Sequence, residues 1–223
     1  MKAAICTKYG DPRFLKIEEV AKPTPKENQI LVKIHSSSVT SGDARIRRAD
    51  PWVIRLIFGF KRPRKSVLGV VVAGEIESIG NEVTKFKVGD KVFGTTGMSF
   101  GAHAEYQCIN EKGTLALIPE KMTYNEAAAI PFGATASLHF LRKGNIKEGQ
   151  KVLIYGASGA LGTIAIQLAK ELGAHVTAVC SDKNGTMVKV LGADNVIDYK
   201  NEDFTKNGVK YDVIFDTVGK SSF

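Results

Sequence analysis

A strand, a glycine-containing turn and an amphipathic helix follow one another between Lys151 and Gly173. The apolar run from Lys151 to Tyr155 has the length of a buried strand, and small residues follow it. Apolar side chains then recur at helical spacing as far as Leu172, and Gly173 supplies a helix stop. Together with the strand expected next, this unit predicts strands and helices that alternate around a parallel sheet.

The turn is compared with the glycine fingerprint of dinucleotide-binding folds, G-x-G-x-x-G. Its six residues, with alanine in place of the first glycine, are Ala157, Ser158, Gly159, Ala160, Leu161 and Gly162. N–H groups at the start of a helix lack intrahelical acceptors and therefore bind anions such as phosphate. The hexamer alone is equally compatible with ordinary packing of a helix on a sheet. Its place between two predicted strands favours a pyrophosphate-binding turn.

Residues 1–122 differ from the rest of the chain in their pattern of residue types. They contain short β-branched runs separated by glycine and proline, which predicts a β-barrel. The predicted strands are Lys2–Thr7, Ile30–Ser36, Val67–Ile79, a strand–turn–strand unit over Val83–Gly94, and Ala104–Ile109. The glycines inside Val67–Ile79 indicate bulges or the close approach of another backbone.

Residues 123–223 alternate between helices and strands. Capping-box spacing from Thr123 to Glu126 predicts a helix start, and Pro131 interrupts that helix before it resumes over Gly133–Arg142. The further predictions are a helix at Lys183–Leu191 and strands at Lys151–Tyr155, His175–Val179, Asn195–Tyr199 and Tyr211–Val218. This alternation predicts a parallel sheet with right-handed crossovers.

The net charge of +8 bears on possible partners. One denser basic segment, Arg45–Lys65, also carries apolar side chains, and we interpret it as a surface helix and loop whose apolar side packs inward rather than as a nucleic-acid patch. No apolar run reaches the length of a membrane span, so no membrane partner is expected. Isolated Cys6, Cys108 and Cys180 argue against a disulfide framework, and a cytoplasmic location is expected.

Six blocks, in the same order along the chain, resemble those of the medium-chain dehydrogenase/reductase superfamily in its zinc-independent, quinone-oxidoreductase-like branch. They are LGVVVAGEIESIGNEVTKFKVGDKVFG, GAHAEY, AAAIPFGATASLHFLRKG, GASGALG, GADNVIDY and YDVIFDTVG. The resemblance implies an α/β plus β fold, with a GroES-like (chaperonin-10-like) barrel over residues 1–122 and a Rossmann domain over residues 123–223. Members of the family continue further, and a doubly wound sheet normally has about six strands, so we expect this chain to be truncated and its Rossmann domain incomplete.

The resemblance also bears on zinc. Zinc-dependent relatives have a cysteine at the position of Thr40, a Gly-His-Glu triplet at Gly69–Val71, and a cysteine or an acid at Phe132. None of these positions offers a normal zinc ligand here, because zinc in proteins is bound by thiolate, imidazole or carboxylate groups. We therefore predict no metal.

Cofactor choice depends on the end of the strand that follows the glycine turn. Folds that prefer NAD place an acid there, whereas strand register places Cys180 at this position. Ser181 and Lys183 follow with a hydroxyl group and a cation, and Tyr199 resembles the family tyrosine near the adenosine phosphate. We predict NADP(H), although Asp182 lies at the spacing where the fingerprint expects an acid.

Without a metal, a quinone or an enone is an easier hydride acceptor than a simple ketone, because charge develops on an oxygen that needs only hydrogen bonds. Thr40 occupies the former ligand position and is predicted to hydrogen-bond a substrate oxygen, and Asp43 to hold the loop. Both residues could equally be local caps. Thr135 lies where relatives have a threonine–alanine pair near the nicotinamide.

Two other functions remain open at this point: a non-catalytic NADPH-binding sensor, and a zeta-crystallin-like RNA-binding role suggested by the positive charge. The resemblance implies a small-molecule quinone, enone or carbonyl substrate. It also implies a homodimer for full-length family members, while this shorter chain is expected to be monomeric.

Overall fold

The computed structural model describes residues 1–219, and the chain forms two compact units, Met1–Pro131 and Phe132–Phe223. The helix that begins after Thr123 contacts strands of the first unit. The domain limits of 1–122 and 123–223 remain a prediction. No helix among residues 1–219 is long and apolar enough to cross a bilayer.

The first unit is built on an antiparallel five-stranded sheet of order β6-β3-β4-β5-β7 and a separate β1–β2 pair. Its elements are β1 (Lys2–Cys6), β2 (Leu15–Glu19), β3 (Gln29–Ser36), α1 (Ser41–Arg48), α2 (Ile54–Phe58), β4 (Val71–Ile79), β5 (Lys91–Thr95), β6 (Tyr106–Asn110), β7 (Thr114–Leu117) and α3 (Tyr124–Ala129). The core between these strands is β-branched, as in Ile30, Val32, Val72 and Val92. This β-rich unit agrees with the predicted barrel.

Close backbone approach explains the glycine in the middle of β4. A Cβ atom on Gly74 would lie 2.1 Å from the carbonyl oxygen of Lys33 on β3. The pairing of β3 with β4 also shifts register between Leu31 and Val32. The sequence prediction of bulges and close approach in this strand is confirmed.

The strand–turn–strand prediction for Val83–Gly94 is wrong in its first half. Only β5 forms, while the preceding residues make turns. The N–H groups of Thr84 and Lys85 donate to a carboxylate oxygen of Glu111, at 2.8 and 3.0 Å, instead of to a neighbouring strand. Side-chain hydrogen bonds of this kind compete with a ladder, and alternation of residue types does not reveal them.

The expectation that the apolar side chains of Arg45–Lys65 pack inward is also wrong for four of them. Trp52, Leu56, Ile57 and Phe60 are between 58% and 70% exposed. Two of them lie in α2 and two flank it, and this helix of only five residues buries none of its side chains. The segment is therefore a surface lobe with both basic and apolar side chains.

The second unit contains a parallel four-stranded sheet of order β10-β9-β8-β11 among the described residues. Its elements are α4 (Pro131–Lys143, which begins at the last residue of the first unit), β8 (Lys151–Tyr155), α5 (Ala160–Glu171), β9 (His175–Cys180), α6 (Gly185–Val190), β10 (Asn195–Asp198) and β11 (Val213–Asp216). In sequence terms the order is 3-2-1-4, which is that of a doubly wound dinucleotide-binding sheet. The predicted fold class is confirmed.

Burial explains why α5 forms where it does. Ala165, Ile166 and Ala169 recur at helical spacing and are completely buried in the core of the sheet. The last strand, β11, is shorter than predicted because Asp216 accepts hydrogen bonds from the N–H groups of Val218 and Gly219, at 2.7 and 2.9 Å. This turn ends the strand.

Candidate functional site

The turn after β8 leaves the start of α5 open. Gly159 is the residue before the helix, and no side chain caps the first turn. The N–H groups of Ala160, Leu161 and Gly162 therefore have no intrahelical acceptor. The positive end of the helix dipole adds to the attraction for an anion at this place.

Alanine at the first fingerprint position is compatible with this geometry. The left-handed conformation that the turn requires is adopted one residue earlier, by Gly156, whose φ is +79°. Ala157 is fully buried, and its N–H group donates to the carbonyl oxygen of Val179 at 3.0 Å. The departure from the fingerprint therefore leaves the turn intact.

A second helix supports the same turn. A Cβ atom on Gly133 would lie 2.3 Å from the carbonyl oxygen of Ala160, so α4 approaches the first turn of α5 closely. The hydroxyl of buried Ser137 donates to the carbonyl oxygen of Leu161 at 2.9 Å. Predicted Thr135 lies on the same helix and is exposed. Ser137 was not predicted from the sequence, where its only signal is a run of small residues in the helix.

The turns after β8 and β9 are joined by one amide that sequence reasoning also missed. Asn184 donates through Nδ2 to the hydroxyl oxygen of Ser158 at 3.0 Å and to that of Ser181 at 3.3 Å. Because each hydroxyl accepts this bond, each keeps its own proton for another acceptor. The arrangement presents two hydroxyl donors beside the open start of α5.

Cys180 ends β9 with its side chain buried. Burial raises the pKa of its thiol, and the carboxylates of Asp198 and Asp182 raise it further. The side chain that ends β9, where a fold that prefers NAD is expected to place an acid, is therefore uncharged. Asp182 begins a short 3-10 turn (Asp182–Asn184) and is exposed.

The two remaining cofactor candidates lie near the same carboxyl edge of the sheet. Lys183 is in the exposed 3-10 turn after β9. Tyr199 follows β10, its N–H group donates to the carbonyl oxygen of Cys180 at 3.3 Å, and its side chain is half exposed. The structure therefore places predicted residues from three loops at one edge of the sheet.

The predicted catalytic pair in the first unit forms a closed helix start. The N–H and hydroxyl groups of Thr40 donate to Oδ2 of Asp43 at 2.8 and 2.7 Å, and the N–H group of Asp43 donates to the Thr40 hydroxyl at 3.2 Å. Oδ1 of Asp43 accepts from the N–H group of Gly69 at 3.0 Å. Both side chains are buried, and the pair ties α1 to the segment before β4.

His103 lies next to Asp43 at the start of α1. Its Nε2 atom has no hydrogen-bond partner in the part of the chain that the structure describes, and it is 3.9 Å from Oδ2 of Asp43. Burial lowers the pKa of His103, and the nearby carboxylate opposes that shift. A Cβ atom on Gly69 would lie 2.7 Å from the ring, so glycine is required there. No sequence signal distinguished His103 from the other histidines.

The positions compared with zinc ligands offer hydroxyl and hydrocarbon groups. The Thr40 hydroxyl is bound to Asp43, and Val71 is buried in β4. Among residues 1–219 no cluster of three or more His, Cys, Asp or Glu side chains could hold a metal ion. The absence of a metal remains a prediction.

Comparisons with known proteins agree with the order of these two units. Residues 26–120 match the alcohol dehydrogenase GroES-like domain family, and residues 160–223 match the family described as zinc-binding dehydrogenase. The structure of the quinone oxidoreductase from Coxiella burnetii superposes with a TM-score of 0.87 at 32% identity, covering 98% of this chain and 69% of that one. The chain belongs to the medium-chain dehydrogenase/reductase superfamily, in its quinone-oxidoreductase-like branch.

Two curated members of the superfamily are similar over almost the whole chain. The 2-methylene-furan-3-one reductase of Solanum lycopersicum is 35% identical over 99% of this chain, and the chloroplastic NADPH-dependent alkenal/one oxidoreductase of Arabidopsis thaliana is 32% identical over 98%. The chain spans 58% of the length of each of these two relatives.

Proposed function

We propose that this chain binds NADP(H) and serves, without zinc, in the reduction of a quinone, an enone or a related carbonyl compound. The observation that carries the proposal is the open start of α5 beside the hydroxyls of Ser158 and Ser181. Uncapped N–H groups suit a pyrophosphate, and adjacent hydroxyl donors suit a further phosphate.

The preference for NADP(H) over NAD(H) rests on the charges at the end of β9. A buried neutral thiol at Cys180 does not repel a 2′-phosphate, as an acid at this position would. Lys183 adds a cation to the two serine hydroxyls, and Asp182 opposes it. Three favourable groups therefore face two carboxylates, Asp182 and Asp198, which are near enough to raise the pKa of Cys180, and we propose that the favourable groups outweigh them.

A reduced nicotinamide, when bound, supplies the hydride for such a reaction. In the first unit, the Thr40 hydroxyl already donates to Asp43, so it accepts a further hydrogen bond without change and donates to a substrate oxygen only by releasing Asp43. Asp43 is accordingly proposed to position the loop, and Thr40 to contact the substrate. Thr135 is proposed to lie near the nicotinamide.

The names of the relatives support the reaction class. One relative is named a furan-3-one reductase, one an NADPH-dependent alkenal/one oxidoreductase and one a quinone oxidoreductase. All three names describe conjugated carbonyl compounds or quinones. We also propose a cytoplasmic location and a monomeric chain, which cell fractionation and sedimentation velocity test.

Titration of the chain with NADPH and NADH, followed by oxidation of NADPH at 340 nm with a panel of quinones and enones, tests the proposal. We expect NADPH to bind at least about tenfold more tightly than NADH, since one charge-assisted phosphate contact contributes that much. Equal affinities would overturn the 2′-phosphate assignment. Tight binding without turnover of any acceptor would support a sensor instead, and elemental analysis that finds stoichiometric zinc would overturn the metal-free chemistry.

A further inference from the structure

A cavity in the first unit is lined by none of the residues to which the proposed reduction assigns a role. Its volume is about 210 Å³, and its walls come from α1, α2, residues 63–68 and the loop around Met98. Leu68 and Phe100, each less than 5% exposed, form its floor, while Ile57 and Met98, each more than 60% exposed, stand at its mouth. The cavity is thus apolar inside and reachable from solvent.

The floor of the cavity is held in an unusual conformation. Phe100 has a φ of +54°, which bulky residues rarely adopt, and its ring packs edge-to-face on Phe58 at 5.6 Å between centroids. Strained backbone of this kind persists where the surroundings enforce it, and it concentrates at ligand sites. Burial and the contact with Phe58 hold the Phe100 ring in the floor despite this backbone conformation.

Two cations line the same cavity. Arg64 and Lys65 are exposed, and neither forms an ion pair with a carboxylate among residues 1–219. Lys65 donates through Nζ to the carbonyl oxygen of Met98 at 3.1 Å, which holds the ammonium group beside the mouth. An ammonium group has three protons, so two remain for another acceptor.

We propose that this cavity is a binding site for a small apolar organic anion, whose ring or short chain enters the cavity and whose carboxylate meets Arg64 and Lys65. Apolar cavities of about 150 Å³ accept benzene, so a cavity of about 210 Å³ accepts one ring with a short substituent. Ligand sites typically combine such an apolar lining with a few convergent polar groups. The site goes beyond the proposed reduction and needs no nicotinamide.

Calorimetric titration with trans-cinnamate and with cinnamyl alcohol, which share a carbon skeleton and differ in charge, tests the proposal. We expect cinnamate to bind about tenfold more tightly than the alcohol. The double variant Arg64→Ala/Lys65→Ala should remove this difference and leave the affinity for the alcohol unchanged. Ile57→Ser, at the exposed mouth, should weaken both ligands.

The matched control is Arg48→Ala/Lys61→Ala, which removes two exposed cations of the same segment that do not line the cavity. It should leave both affinities unchanged. An equal loss of cinnamate affinity in the control, or no saturable binding of either ligand, would overturn the proposal. So would binding confined to phosphatidylserine vesicles or to single-stranded RNA. These titrations contain no nicotinamide cofactor, so a negative result would leave the proposed reduction untouched.

Discussion

The first turns of α1 and α5 differ in whether side chains of the protein bind their free N–H groups. At α1 the side chain of Asp43 accepts hydrogen bonds from Thr40 and Gly69, so the helix start is closed by the protein itself. At α5 the residue at the position of Thr40 is Gly159, and no side chain caps the first turn. A helix start can therefore either stabilise a fold or remain open for a ligand.

A third helix start separates the effect of burial from that of capping. α3 begins with Thr123 and Glu126, whose hydrogen bonds of 2.8, 2.7 and 3.3 Å match those of Thr40 and Asp43 almost bond for bond. The pair at α3 is exposed, whereas the pair at α1 is buried and also binds Gly69. Comparing the two capping boxes therefore isolates the contribution of burial to stability.

The largest expected effect follows from opening the closed start of α1. Asp43→Ala leaves three buried donors without their acceptor and should lower the free energy of unfolding by about 3 kcal/mol. Glu126→Ala, at the exposed start of α3, is the matched control and should cost much less, because the donors that it leaves are exposed to water. Urea denaturation measures both values. Equal losses would show that burial of the α1 capping box contributes nothing.

The next effect concerns the amide beside the open start. Asn184→Ala frees the hydroxyls of Ser158 and Ser181 to turn away, and it should reduce the preference for NADPH over NADH about tenfold. The affinity for NADH should remain unchanged. Asn201→Ala, which removes another amide near the end of β10, is the control. Parallel losses for both nucleotides would indicate a purely structural role for Asn184.

The contact of Asn184 with Ser158 could not be predicted from the sequence. The strand–turn–helix unit, the sheet order and the residues Ser158, Cys180 and Ser181 follow from local patterns, because periodicity and turn chemistry are local. Asn184 lies 26 residues from Ser158, and no pattern in either segment announces their contact. The same holds for Glu111, which binds the backbone of Thr84 and so prevents the strand predicted there.

Some of the missed features did have a local signal. Thr40 and Asp43 have capping-box spacing, which predicts the start of α1, and the sequence analysis named a local cap as one alternative for both residues. Strand β2 alternates apolar and polar residues only from Leu15 to Glu18, and it buries none of its residues. Tertiary pairing with β1, rather than its own pattern, determines its structure.

A smaller effect is expected from the cap itself. Thr40→Val removes the hydroxyl that both donates to and accepts from Asp43, and it should lower the free energy of unfolding by about 1 kcal/mol. If Thr40 also contacts the substrate, turnover with an enone should fall while NADPH affinity stays the same. Thr40→Ser keeps the hydroxyl and should restore both properties. Unchanged turnover in Thr40→Val would remove Thr40 from the reaction.

The smallest expected effect is a pH dependence of stability caused by His103, which lies next to Asp43 at the start of α1. Because burial lowers the pKa of His103, the unfolded chain takes up a proton before the folded chain does. Stability should therefore fall as the pH drops below about 6.5, toward the lowered pKa of the folded state. Urea midpoints at pH 7.5 and 5.5 should differ more for the wild type than for His103→Gln. Equal differences would contradict a buried neutral histidine.

Closing the open start of α5 tests whether its free N–H groups bind the pyrophosphate. In Gly159→Asp the new carboxylate caps the first turn and occupies the anion site, so the fold should gain up to about 1 kcal/mol of stability. The affinity for NADPH should fall on the order of 100-fold, because two charge-assisted bonds are lost. Gly159→Ala, without the carboxylate, should bind NADPH nearly as the wild type does. A Gly159→Asp variant that is stable and still binds NADPH with wild-type affinity would contradict the account.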